Sequence, residues 1–501
     1  TKDYEDLFNA ILTMWNNYGN TPNTPDPLFI DLDNDGISTD SVGDHHYFDF
    51  NADGFAEQTG WISPDDGFLV RDVNANGRID NGSELFGDED TDGFTALAAF
   101  DSNLDGVINA SDTVWSDLRV WQDTNQDVQT QSTELLTLSS LNITGIDVLN
   151  VSPTSISNTA GTITHTGTVF TTSGTLAAGN YVFNATPINS VYAADYTLDL
   201  DAAGLPTVKG YGQVADLTIA MSIDNDQQDP DSLISIMQEI VSYDAAGLFE
   251  NYTVVKGLVK DLMYRWAGVD AVAFDSRGPY ISDARKLEFL EKYMGENFID
   301  TDFNTDTPGT VQAMRLEDIF TEVWTRITSQ IIVQASAGDL FAGARTYNSL
   351  TGKLEGSMTV SQSELDALET AATNLPGTDE RKDFWVGVAD YLNGLSMEDD
   401  GDSHIRFGLS SSDEIKLNDA IEASDPTLTW YEEDHGGGTE AIQYRYNSPL
   451  GDIITGTNSA ETLNGGAEDD IIIGLQGADT INGNGGNDVL YGQNELGTSD
   501  D

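Results

Sequence analysis

Apolar positions along the chain change their spacing four times, and each change marks an expected element. In residues 1–20, Leu7, Ile11, Leu12 and Trp15 recur at helical spacing and predict a short amphipathic helix. The stretch NTPNTPDP at 20–27 breaks it. From 28 to about 135, short apolar pieces alternate with clusters of Asp, Asn and Gly, giving one ion-rich module. Residues 136 to about 200 alternate Thr, Ser, Val, Ile and Tyr with glycine turns, as in GTITHTGTVFTTSGTLAAGNYVFNA, and predict antiparallel strands that cover the ion-rich part. From about 205 to 430 the period turns helical, as in SLISIMQEIVSY, VVKGLVKDLMYRWAG and LEDIFTEVWTRITSQIIVQ. Two phrases there, YGQVADL at 211–217 and YRWAGVDAV at 264–272, are candidates for a polar pocket, although Arg265 and Trp266 read better as a packed core pair.

The tail repeats every nine residues from 447. The sixth positions of successive units are Asp452, Glu461, Asp470, Asp479 and Asp488, and the eighth are Ile454, Leu463, Ile472, Ile481 and Leu490. Glycines make the turns, the aspartates (Asp470, Asp479 and Asp488 above all) reach a cation between turns, and the aliphatic residue points inward, which predicts a parallel β-roll. The expected fold is therefore a multi-domain α+β chain. It has an N-terminal helix and linker at 1–26, an EF-hand-like calcium-loop module with β-strands at 27–200, a mainly helical domain at 201–440, and a β-roll at 447–501.

Charge sharpens this picture. With 85 acidic against 21 basic residues the net charge is −64, which strains any compact state unless cations bind, so calcium is the natural partner. The same charge repels nucleic acid and anionic membranes, and no basic cluster opposes it, so no nucleic acid partner is expected. There is no cysteine, so stapling by disulfide or thiolate metal site is excluded. No apolar run approaches the ~18 residues of a spanning helix, and TKDYEDLFNA is not a signal peptide. The start at Thr1 suggests a piece of something longer.

Ca2+ takes 6 to 8 oxygen ligands, which a 12-residue loop supplies from positions 1, 3, 5, 7, 9 and 12. Two segments fit. One is Asp101, Asn103, Asp105, Val107 by its carbonyl, Asn109 and Asp112; the other is Asp123, Asn125, Asp127, Gln129 by its carbonyl, Gln131 and Glu134. In the second, Val128 replaces the usual glycine at position 6, so its turn is expected to be strained or differently shaped. Three less complete clusters are Asp31/Asp33/Asp35, Asp49/Asn51/Asp53, and Asp72/Asn74/Asn76 with Asp80 and Glu84, the last closing one position late. His45 and His46, being adjacent, cannot face one metal from a strand and are expected at the surface.

The phrases DPLFIDLDNDGI, FDFNADGFAEQTGWISPDDGFLVRDVNANGRIDNGSELFGD, DGFTALAAFDSNLDGVINASD and LRVWQDTNQD resemble the self-processing module of FrpC-like RTX proteins, from Asp26 to about residue 200. The nonapeptides belong to the same class, and the helical stretch resembles a region of large RTX proteins to which no chemistry is assigned. The resemblance implies that calcium folds the module and that the bond Asp26-Pro27 at its border breaks. The freed aspartyl carbonyl then passes to water or to a lysine ε-amine, giving an isopeptide cross-link. Its calcium-loop carboxylates carry over to Asp101, Asp112, Asp123 and Glu134. It further implies type I secretion, with a secretion signal beyond Asp501, and a secreted or cell-surface protein, toxin or adhesin, that folds outside the cell.

The chemistry is sound in its own right. The Asp26 carboxylate forms a five-membered ring on attacking its own carbonyl, an intramolecular step with effective molarities of ~10⁵ M or more when the rotamer is held. The product is a cyclic anhydride. Two other Asp-Pro pairs, Asp229-Pro230 and Asp425-Pro426, read as plain turns. Single-turnover self-cleavage with a lysine-bearing acceptor is thus the first reading. A calcium-rigidified structural or adhesive segment with a cell-surface partner is the second. A conventional enzyme in the helical region is the weakest, because the five histidines form no HExxH and no GxSxG is present.

Overall fold

The computed structural model describes residues 26–42, 46–88, 91–224, 231–299, 305–335, 345–356 and 361–395, and beyond these a set of short strands between 397 and 491. The expected N-terminal helix, His45, both downstream Asp-Pro pairs, and Asp470, Asp479 and Asp488 lie outside the described residues. The fold is mixed α and β. It divides into two compact units, one built within Leu12–Ser235 and Asp261–Phe320, the other within Ile236–Lys260 and Thr321–Asp501.

The first unit is organised by a nine-stranded sheet. In chain order its strands are β1 (Leu28–Ile30), β2 (Gly67–Arg71), β3 (Val107–Asn109), β4 (Leu118–Trp121), β5 (Leu135–Thr137), β6 (Ile143–Asp147), β7 (Ser152–Ser157), β8 (Gly161–Thr171) and β9 (Thr175–Phe183). The spatial order is β3-β6-β8-β9-β1-β2-β4-β5, with β7 on β8. Every pairing is antiparallel. The late strands therefore do not lie over the ion-rich part as expected; they hydrogen-bond into it, with Phe29 opposite Gly179 on one side and Phe68 on the other.

Strand β1 is short but central, and its side chains alternate between two cores. Leu28 and Ile30 join Leu69, Phe86, Phe94 and Val120 on one face. Phe29 joins Phe48, Trp61, Phe68, Trp121, Tyr181 and Phe183 on the other. All three β1 side chains are fully buried, worth roughly 1.5–3 kcal/mol each. His46 is a correction to the expectation of a surface residue: it is buried, its ring 6.2 Å from Trp61. It stands just before the strand Tyr47–Phe48, where its carbonyl accepts from Thr59 N–H at 3.0 Å, and this places the ring beside the aromatic cluster.

The helical region contributes Leu217–Ile223 and Ala284–Met294 to this unit. Trp266 is buried there and donates from Nε1 to the Ala215 carbonyl at 2.7 Å, while Arg265 pairs with Asp224 at 3.4 Å, so the two phrases meet as packing. In the second unit, helix Ala245–Glu250 packs on Thr378–Leu395 through Phe249, Phe384 and Tyr391. A buried Arg345–Glu364 ion pair at 3.0 Å lies in the same unit.

The tail forms parallel pairs two repeats apart: Ile453–Thr455 with Ile471–Ile473, Ile471–Ile473 with Val489–Tyr491, and Thr462–Asn464 with Thr480–Asn482. Two small sheets built from alternate nonapeptides are what a β-roll requires. Leu463 and Ile481, expected to face inward, are less exposed than the residues beside them.

Candidate functional site

Five Asp-rich loops sit at strand ends in the first unit, and all five share one backbone geometry. Position 4 is left-handed in each: Asn34, Ala52, Ala75, Leu104 and Gln126, with φ between 58° and 65°. Position 6 is left-handed too, at Gly36, Gly54, Gly77, Gly106 and Val128. That turn aims the position-6 N–H at the carboxylate of position 1, at 3.1 Å for Asp31, 3.0 Å for Asp49, 2.8 Å for Asp72 and Asp101, and 2.9 Å for Asp123. Val128 settles the question its sequence raised: at φ 60° it keeps the common shape and bears the strain, ~1–2 kcal/mol for a side chain in that region. Its side chain packs against the aromatic core, which offsets the strain.

Closing carboxylates complete the loops. Asp112 accepts from Ser102 N–H at 2.9 Å and Asn109 N–H at 2.9 Å, and Glu134 accepts from Thr124 N–H at 2.9 Å and Gln131 N–H at 3.2 Å. Glu84, one position late in sequence, does the same with Val73 at 2.9 Å and Asp80 at 2.8 Å, because a 3₁₀ turn at Gly82–Glu84 absorbs the extra residue. In the first loop the part falls to Asp66, which takes Leu32 N–H at 3.2 Å and Ser38 N–H at 3.1 Å. Sequence spacing could not reveal Asp66, which lies on another segment. Burial pushes Asp66 and Asp49 up to about 6, and burial beside Asp53 and Asp49 pushes Glu57 up to about 8.

The donor set fits calcium. It consists of oxygens, the hard ligands that suit Ca2+, and the nearest carboxylate oxygens of Asp31, Asp33 and Asp35 lie within 4.8 Å of one another. Asn51, Asn74, Asn76, Asn103 and Asn125 stand at the intervening ligand positions; in these four loops the position-5 N–H donates both to the position-3 Asn Oδ1 and to the position-1 carboxylate, tying positions 1, 3 and 5 together. The fifth loop is wired to the core: Asp123 Oδ2 accepts from Trp61 Nε1 at 2.9 Å, both residues fully buried.

Asp26 and Pro27 lie at the entrance to β1, held by its neighbour β9, by the helix Gly93–Ala98 and by β8. Pro27, which has no N–H to give, offers its carbonyl to Tyr181 N–H at 3.1 Å. The Asp26 carbonyl accepts from Gly93 N–H at 3.2 Å. Its side chain is nine-tenths buried; Oδ2 accepts from the Thr164 hydroxyl at 2.6 Å, while Oδ1 is buried with no hydrogen-bond partner. Burial raises the carboxyl above its usual range, opposed by the Thr164 bond and His165. Asp92 lies close enough to raise it further, but is occupied with Thr95 N–H at 3.0 Å and Asn180 Nδ2 at 2.9 Å. The sequence pointed to the dipeptide but not to Gly93, Thr164 or His165, which the fold brings in from distant segments.

Comparison with known proteins places these features. Residues 28–184 match the SPM domain, which begins at β1 and ends just past β9. Residues 455–492 match the RTX calcium-binding nonapeptide repeat in four copies, which implies Ca2+ binding. The chain is similar to the iron-regulated protein FrpA of Neisseria meningitidis serogroup C, 35% identical over 257 residues, 49% of this chain and 22% of FrpA. It thus spans less than a quarter of that relative. No helix among the described residues is long and apolar enough to cross a membrane. The motifs quoted from the sequence and these matches agree: the chain carries an SPM domain and RTX calcium-binding nonapeptide repeats, and over about half its length it is similar to FrpA.

Proposed function

We propose that the chain cleaves its own Asp26-Pro27 bond when calcium folds the surrounding loops, and that the Asp26 carbonyl then passes to water or to a lysine ε-amine. The observation that carries this reading is the hold on Asp26: its carbonyl oxygen on Gly93 N–H, one carboxyl oxygen fixed by Thr164, the other buried and unpartnered. A buried oxygen without a partner is costly, and here it belongs to the group whose attack makes a five-membered ring. As Oδ1 bonds to the Asp26 carbonyl carbon, the oxygen gaining charge already faces a backbone donor, the arrangement that stabilises such intermediates. The carbon–nitrogen bond breaks, the Pro27 nitrogen takes a proton, and an anhydride remains. A lysine amine opening it at the former peptide carbonyl loses a proton and frees the side-chain carboxylate.

Ca2+, when bound, supplies the positive charge that lets the carboxylates of the five loops coexist in a folded chain. In this reading the ligands are Asp31, Asp33 and Asp35, closed by Asp66; Asp49, Asn51 and Asp53; Asp72, Asn74, Asn76, Asp80 and Glu84; and the two complete loops ending at Asp112 and Glu134. Because β1, β2 and β4 each run straight into a loop, ion binding and sheet formation are one event. Residues 27–200 would act as the processing module of a secreted protein, with Asp470, Asp479 and Asp488 holding ions in the β-roll.

The substitution Asp26→Ala tests the chemistry. It removes the nucleophile and leaves the loops intact, so the variant should gain structure on calcium addition, by circular dichroism, yet show no new N-terminus at Pro27. Cleavage persisting in Asp26→Ala would rule the reading out.

A further inference from the structure

Behind the Asp26 carboxyl stands a second residue that no motif singled out. The Thr164 hydroxyl lies 2.6 Å from Asp26 Oδ2 and 3.0 Å from His165 Nδ1, forming a continuous chain of three groups. Thr164 and His165 are consecutive on β8, whose irregular register between Ile163 and His165 against β9 lets two neighbouring side chains serve one site. Such a shift is what a β-bulge produces, and bulges re-aim side chains next to active sites. Both residues are half-buried.

We propose that Thr164 and His165 form a proton relay for the Asp26 carboxyl, Thr164 passing the proton and His165 holding it while the peptide bond breaks. This rests on the self-cleavage reading above. The step balances. With Oδ2 protonated, the bond to Thr164 runs the other way from that of the ionised carboxylate: Oδ2 donates to Thr164 Oγ1 and the Thr164 hydroxyl turns to His165 Nδ1. As Oδ1 forms the bond to the carbonyl carbon, the Oδ2 proton passes to Thr164 and the Thr164 proton to His165. The electron pair of the broken bond stays on the Pro27 nitrogen, which recovers one proton from the imidazolium through water. The active form of the pair holds one proton. With two, His165 cannot accept; with none, nothing is left for the leaving nitrogen. The groups facing Asp26 are His165 and Thr164 from β8 and Asp92 from the helix Gly93–Ala98 cap, and both His165 and Asp92 act on its charge in opposite senses.

The test is calcium-started cleavage followed by intact mass across pH, in the whole chain and in Thr164→Val, Thr164→Ser and His165→Gln. The parent should show a bell-shaped rate profile. Thr164→Val and His165→Gln should be slower by ~10²-fold or more, the usual worth of a placed acid–base group. Thr164→Ser, which keeps the hydroxyl, should recover most of the loss seen in Thr164→Val. In His165→Gln the alkaline fall should begin at lower pH, since Asp26 alone then holds the proton, and a merely structural role for the ring would not move it. If the parent cleaves and His165→Gln matches its rate and profile, the relay is wrong while self-cleavage stands. If the parent does not cleave, both are wrong.

Discussion

At the scale of single residues, the site depends on how closely the chain passes itself. Gly87, at φ 112°, has no room for a side chain: a Cβ there would lie 2.2 Å from the Asp26 carbonyl oxygen and 2.9 Å from Gly93 nitrogen. The left-handed backbone alone would cost an alanine ~1–2 kcal/mol, and relief of the clash means moving the Asp26 carbonyl off its donor. Gly87→Ala should therefore lower the denaturation midpoint and slow cleavage beyond what the stability loss explains, checked at a temperature where the variant is fully folded. Normal cleavage would show that the Gly93 contact is dispensable. Residues of this kind mark the limit of what the sequence disclosed. Asp26, Pro27 and the repeated Asp positions could be read because local spacing governs them. Gly87, Asp66, Thr164 and His165 could not, since the loop or carboxyl that each serves lies on a distant segment of the chain.

At the scale of elements, four of the five Asp-rich loops run on from a strand, and the Asp101 loop joins the helix Gly93–Ala98 to β3. The strongest link is in the fifth loop, where strained Val128 and the indole of Trp61 both donate to Asp123. Trp61→Phe keeps the ring packing among Phe48, Phe68 and Trp121 but removes one donor from a buried carboxylate, a loss of ~1–3 kcal/mol. The variant should unfold at lower urea concentration with calcium present; an unchanged midpoint would mean the loop is not coupled to the core. The periodicities themselves were legible: the nine-residue repeat reappears as parallel strands two repeats apart, and the helical period as helices from Leu217 to Leu395. The placement of β1 between β9 and β2 was not, because pairing partners across a sheet leave no local pattern.

At the scale of the whole molecule, charge and lysine placement tell the same story. A chain at −64 repels itself until cations arrive, so folding, and with it the proposed processing, is expected to wait for calcium. No lysine lies between Lys2 and Lys209, so the SPM domain offers no ε-amine to its own anhydride. In the proposed reading, any cross-link forms on a lysine outside the module, in this chain or in another molecule. The most direct measurement is the intact mass of chelator-treated protein after millimolar calcium is added. The account predicts a fragment beginning at Pro27, a partner ending at Asp26, and any adduct of that partner attached outside residues 28–184. A chain that compacts with calcium while its mass stays whole would contradict it, leaving the loops as a rigidified scaffold.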